Sequence, residues 1–174
     1  MEALIREARA EDARAIAQVH VESWRTTYRG LMPEEVLARL SVEDRENAWI
    51  GILRDRTKFT YVAESERSVV GFANGGPERT KDPEYSGEIY AVYLLEEHQR
   101  RGIGRTLVHA LAERLVREGL SSILVWVLTE NPACRFYEAL GGAFVRNRKR
   151  RVGGVDLDHV AYGWKEARLL VESS

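Results

Sequence analysis

The spacing of apolar positions changes period several times along the chain. After a short apolar start at Leu4 and Ile5, the positions Ala13, Ile16, Ala17, His20, Val21, Trp24 and Tyr28 recur at three- and four-residue steps, the spacing of one helix face. Gly30 and Pro33 break that face, and residues 33–40 are long enough for a short second helix. Ser41, with Asp44 three residues on, has the form of a start cap for a third helix over residues 42–54. The pattern then turns to strands: residues 59–63 and 69–73 are rich in β-formers, and the polar stretch Glu64-Ser65-Glu66-Arg67 between them is a hairpin turn. Asn74-Gly75-Gly76-Pro77 is expected to end that pair.

A loop over residues 81–87 leads into a mostly apolar run of strand length at 88–95. From 104 to 118, Leu107, Val108, Leu111, Ala112, Leu115 and Val116 form a helix stripe that Gly119 closes. Residues 123–128, Ile-Leu-Val-Trp-Val-Leu, make a continuous apolar strand of the kind covered on both faces. Strand, helix and strand at this spacing predict a right-handed parallel crossover. A last helix over 132–140 stops at Gly141-Gly142, and strands at 143–151 and 155–164 turn back at Gly153-Gly154. The class is α/β: a mixed, mostly antiparallel sheet with a parallel pair at its centre and helices flanking both faces.

No repeat, low-complexity segment or linker divides the 174 residues, so residues 1–174 are expected to form a single domain. Lys and Arg number 26 against 27 Asp and Glu, a net charge of −1, which supplies no global field for polyanionic DNA or RNA. A single cysteine forbids an internal disulfide and fits a reducing cytoplasm. The acidic, mostly polar start is unlike a secretory leader, and no stretch approaches the roughly 18 apolar residues of a membrane span. A cytoplasmic location without membrane association is therefore expected. His20, His98, His109 and His159 are scattered without ligand spacing, and no metal is expected.

The most informative segment is Gln99-Arg100-Arg101-Gly102-Ile103-Gly104-Arg105, set between an apolar strand and an amphipathic helix. A helix N-terminus offers unpaired N–H groups and about half a positive charge, and glycines let those groups approach a phosphate. Arg100, Arg101 and Arg105 add mobile charge around the same anion. Taken alone, two such glycines more often mark only a tight helix start. Neither of two familiar phosphate loops fits, because no lysine follows Gly104 and Leu107 stands where the dinucleotide fingerprint needs glycine.

This segment resembles the signature of the GNAT superfamily of acetyltransferases, Gln/Arg-x-x-Gly-x-Gly/Ala after an apolar strand, at Gln99, Gly102 and Gly104. A second block, Asn131-Pro132-Ala133-Cys134-Arg135-Phe136-Tyr137-Glu138-Ala139-Leu140-Gly141-Gly142, is similar to the family's Asn…Phe-Tyr-x-x-x-Gly segment, with Asn131 six rather than seven residues before the tyrosine. The stretch from Ser23 to Gly30, followed by Pro33, resembles the first helix and loop of many bacterial members. Many members have proline where Glu96 stands.

The resemblance implies a donor, acetyl-coenzyme A, with free coenzyme A as product. Amides of Arg100, Arg101, Gly102, Ile103, Gly104 and Arg105 would bind its pyrophosphate. The backbone of Val92, Tyr93 and Leu94 would pair with pantetheine, and the Leu94 N–H would face the thioester carbonyl. Gln99 and Asn131 belong to the same cofactor-binding set. An acceptor amine with a pKa near 10.4 has to lose a proton before attack, and Glu88, eleven residues before Gln99, matches the general-base glutamate of the family's histone-acetylating branch. The alternatives for Glu88 are a solvated strand-edge carboxylate or a water relay. Tyr137 matches the usual general acid for the leaving thiolate, and otherwise packs helix to sheet beside Phe136. His98 is a rival base beside the loop. Cys134 near a helix start is expected to be a buried thiol rather than a nucleophile, and the basic run at 146–151 a solvated strand and turn rather than a site for nucleic acid or an acidic substrate. The implied activity is N-acetyl transfer to a small-molecule or peptide amine by direct attack, with a non-catalytic acyl-coenzyme A-binding module as the alternative. Homodimers are common among proteins of this resemblance.

Overall fold

The computed structural model describes residues 2–172. Its elements, in chain order, are β1 (Leu4–Glu7), α1 (Ala13–Thr27), α2 (Glu34–Ala38), α3 (Val42–Arg54), β2 (Phe59–Ser65), β3 (Ser68–Pro77), β4 (Gly87–Leu94), α4 (Ile103–Arg117), β5 (Ile123–Leu128), α5 (Ala133–Ala139), β6 (Ala143–Val152), β7 (Val155–Trp164) and α6 (Arg168–Glu172). The seven strands form one mixed sheet in the order β1-β2-β3-β4-β5-β7-β6. β4 and β5 run parallel, while β1 with β2, β5 with β7 and β6 with β7 are antiparallel. The expected α/β class and its central parallel pair are therefore present.

The chain divides into two compact units, Met1–Asn74 with Ala91–Leu111 and Gly75–Tyr90 with Ala112–Ser174. In the first unit, α1 carries the predicted stripe, with Ile16 and Ala17 fully buried. They join Val19, Trp49, Val62 and Phe72 in one core cluster, against which Tyr93 and Leu95 pack. The predicted cap is made: the Ser41 hydroxyl accepts the Asp44 N–H at 3.1 Å and starts α3. Glu66 and Arg67 both have positive φ, +51° and +65°, the pair of left-handed residues that a two-residue hairpin turn uses between β2 and β3.

β3 runs through Asn74-Gly75-Gly76-Pro77, where the sequence predicts an end. Asn74 is buried yet satisfied: its amide donates to the Phe59 carbonyl at 3.1 Å and the Thr60 hydroxyl at 2.9 Å. A turn-forming residue is thereby accommodated inside a strand.

In the second unit, β5 sits between β4 and β7, and α5 is tied to β7. Trp164 Nε1 donates to the Leu140 carbonyl at 2.9 Å, and Tyr162 donates to Glu138 at 2.8 Å. The charged hairpin of β6 and β7 is laced by cross-strand pairs, Lys149 with Asp158 and Arg151 with Asp156. α6 follows, held by the Ala167 N–H on the Ser121 carbonyl at 2.8 Å and by buried Leu170. The sequence pattern gave no signal for it, since five residues are too few to show a period. No helix among the described residues is long and apolar enough to cross a membrane.

Candidate active site

In the first unit, the end of β4 and the loop after it form one assembly. Gly71 of β3 lies so close to this strand that an added Cβ would come within 2.6 Å of Leu94 Cδ1 and 2.9 Å of the Tyr93 carbonyl oxygen. The Leu95 N–H donates to the Val70 carbonyl at 2.9 Å, which pins the strand's exit. Glu96 to His98 make a single helical turn, and the Gln99 side-chain amide donates back to the Leu94 carbonyl at 3.0 Å. Gln99 thus ties the loop to the strand residue singled out for the thioester.

The loop turns on two left-handed residues, Arg100 at φ +60° and Gly102 at φ +81°. Such conformations aim successive backbone N–H groups into one concavity that suits an anion. The next pairing runs from the Thr106 N–H to the Gly102 carbonyl at 3.1 Å, so the amides of Ile103, Gly104 and Arg105 have no partner inside α4. Arg100, Arg101 and Arg105 are exposed around them. Donors and positive charge in the segment fit a diphosphate.

The second unit holds Glu88, Asn131 and Tyr137. The parallel ladder covers only Gly87, Glu88 and Ile89 against Ile123, Leu124 and Val125, and the remaining residues of β4 lie outside it. Glu88 is 2% exposed, and the exposed Arg79 grips it from the loop before β4. Arg79 Nη2 lies 2.6 Å from one carboxylate oxygen, while Nε and the backbone N–H of Arg79 each donate to the other at 3.2 Å. Burial works against the Arg79 charge, but the hydrogen bond and charge of Glu88 outweigh it and leave the guanidinium above its ordinary range. Arg79 also stacks over Tyr90 at 4.2 Å.

Register places the two proton-handling candidates on opposite faces of the sheet. Glu88 is in line with Leu124 and Gly163, whereas Trp164 is in line with Ile123. Neighbouring strand residues point to opposite sides. Tyr137 packs 6.3 Å from the Trp164 ring, hence on the Ile123 face. Burial, and after it the charge of Cys134, pushes the Tyr137 phenol well above its ordinary range, so it stays protonated. Asn131 Oδ1 accepts the Ala133 N–H at 2.9 Å and shapes the entry to α5. Burial likewise pushes the Cys134 thiol up, the opposite of an activated nucleophile.

Arg79 carried no signal in the sequence, being one arginine in a polar loop. Trp126 was equally silent within an apolar run, and Arg148 was marked only as a member of the basic run at 146–151. Among the described residues, no group of three or more His, Cys, Asp or Glu is placed to hold a metal ion.

Residues 21–142 match the model of the acetyltransferase (GNAT) family. The chain belongs to that family. Among GNAT relatives, it is 43% identical over 168 residues to the uncharacterized N-acetyltransferase YuaI of Bacillus subtilis, covering 95% of each chain. It is 30% identical over 139 residues to the phosphinothricin N-acetyltransferase of Streptomyces viridochromogenes, covering 79% of this chain and 72% of that one. The structure of YncA from Salmonella typhimurium with its cofactor acetyl-CoA shares the fold at a TM-score of 0.70 and 24% identity, over 94% of both chains.

Proposed function

We propose that residues 1–174 work as one acetyltransferase domain that moves an acetyl group from acetyl-coenzyme A to a primary amine by direct attack. The single observation that carries this reading is the short β4–β5 ladder, which stops at Ile89 and Val125 with Glu88 on one face and Tyr137 on the other. A donor approached from one face and an acceptor from the other then meet a base and an acid separately. The family match supports acetyl transfer, and a GNAT relative named for phosphinothricin supports a small acceptor. The lone cysteine fits a reducing cytoplasm as the place of work.

Acetyl-coenzyme A, when bound, supplies the acyl group as an activated thioester. In this reading the amides at the start of α4 and the arginines of the loop hold its diphosphate, and the backbone of Val92, Tyr93 and Leu94 lines its pantetheine arm. Gln99 positions Leu94 through its carbonyl. Glu88 takes a proton from the ammonium of the acceptor, while Arg79 holds the carboxylate in one orientation. Tyr137 delivers its phenolic proton to the departing sulfur.

Thiol release from acetyl-coenzyme A in the presence of a panel of primary amines tests the proposal. Amine-dependent release is expected. Coenzyme A binding without release from any amine would instead identify a non-catalytic binding module.

A further inference from the structure

The face of the second unit that carries Glu88 also carries a cation without an anion. Arg148 of β6 is in line with His159 of β7, which is in line with Leu128 of β5, so all three share the face of Leu124 and Trp126. The central carbon of the Arg148 guanidinium lies over Trp126, 3.8 Å from the ring centroid. Its Nε is buried and finds no hydrogen-bond partner, and neither does the buried Nε1 of Trp126. Arg148 makes no ion pair among the described residues.

Among the described residues, four of the neighbouring cations are already matched, and the exposed Arg150 is not. Arg79 is taken by Glu88, Arg146 by the almost fully buried Asp82, Lys149 by Asp158 and Arg151 by Asp156. Asp82 also accepts the N–H groups of Glu84 and Tyr85. Burial first, then the charge of Arg150, draws Arg148 below its ordinary range; Arg79 and Arg146 add to that repulsion, and Glu88 opposes it. A guanidinium held rigid on an indole, crowded by like charges and partly desolvated, is short of one oxyanion.

Building on the acetyltransfer reading, we propose that Arg148, supported by Trp126, binds a carboxylate of the acceptor, so that the substrate class is an amine that also carries an acid. The carboxylate seated at Arg148 would anchor the molecule on the face from which Glu88 removes the amine proton. Arg148 differs in this from Arg146, Lys149 and Arg151 of the same strand, which have acidic partners on β7 or in the loop before β4.

The test compares acceptors that differ only in the acid: L-leucine with 3-methylbutylamine, L-phenylalanine with 2-phenylethylamine, and 4-aminobutanoate with propylamine, each followed by thiol release. The wild type is expected to favour the acid member of at least one pair by about 10- to 100-fold in kcat/KM, the usual worth of a charge-assisted hydrogen bond. Arg148→Met keeps the cover over Trp126 and removes the charge. It should abolish that preference through KM, with plain amines turned over within a few-fold of wild type, while Arg148→Lys retains part of it. Equal or better use of plain amines by the wild type, which needs no variant to fold, would overturn the inference and leave the acetyltransfer reading standing. A uniform loss on every acceptor with weakened coenzyme A binding would make Arg148 a donor-binding residue and overturn it too. No thiol release from any of the six would remove the acetyltransfer reading, and this inference with it.

Discussion

A carboxylate that is 2% exposed and gripped by an arginine is not the solvated strand-edge group that Glu88 resembles in the sequence. If it takes the acceptor's proton, Glu88→Gln keeps the shape, loses the basicity and should lower turnover by about two to four powers of ten. A variant within a few-fold of wild type would assign the proton to water or another group. Tyr137 poses the complementary case, because its phenol is buried and held protonated across the working pH range. Tyr137→Phe deletes one oxygen and keeps the ring beside Phe136 and Trp164. Coenzyme A affinity and melting temperature should barely change while turnover falls by about two powers of ten or more. An early melt or weakened affinity with the rate intact would make the residue a packing group.

Elements with a period or a cap were legible in the sequence, and those built by distant contacts were not. α1 and α4 announce themselves by apolar spacing, and Ser41 marks the start of α3 by chemistry that acts over three residues. The extension of β3 depends on Asn74 finding Phe59 and Thr60 fourteen or fifteen residues away. The site shows the same division. The loop at 99–105 is local and therefore readable, but Arg79 gripping Glu88, and Arg146 reaching Asp82 across 64 residues, exist only after folding. His20 shows what such assembly does to a side chain. It lies on α1 among the rings of Trp24, Trp49, Phe72 and Tyr93, and its Nδ1 accepts the Trp49 indole N–H at 3.1 Å. Burial, helped by the charge of Arg45, brings its pKa down to about 3. The unfolded chain binds a proton below about pH 6.5 that the folded chain refuses, so folding stability should fall as pH drops from there toward 3. Each such group contributes a slope of about 1.4 kcal/mol per pH unit, and His109 and His159, also lowered by burial, add their own. His20→Gln keeps an acceptor for Trp49 and removes one of these titrations. Urea melts at pH 7 and pH 5 should show the variant losing about 2 kcal/mol less than wild type over that interval. An unchanged loss would mean that His20 takes up its proton in the folded state.

At the scale of the whole molecule, a net charge of −1 leaves no general attraction for polyanions, so tight binding of a phosphorylated ligand has to come from local groups. The local groups are the left-handed Arg100 and Gly102, the unpartnered amides that begin α4, and the three exposed arginines around them. Anything that binds the native state alone stabilises it by mass action, about 2.7 kcal/mol at a hundredfold excess over Kd. For a chain of this size that corresponds to a rise of roughly 5–10 °C in Tm. Coenzyme A and acetyl-coenzyme A are expected to produce it, and single-stranded DNA at equal phosphate concentration is expected not to. Gly104→Val separates the loop from the rest of the chain. Gly104 lies in the first turn of α4, where a β-branched residue costs less than about 1 kcal/mol in helix propensity, and the free protein should stay folded. The branched side chain would stand over the amides that the phosphate has to reach, and the rise in Tm with coenzyme A should vanish. A variant that melts like the wild type without ligand and still gains the full rise would show that the diphosphate is held elsewhere, whatever becomes of Glu88 and Tyr137.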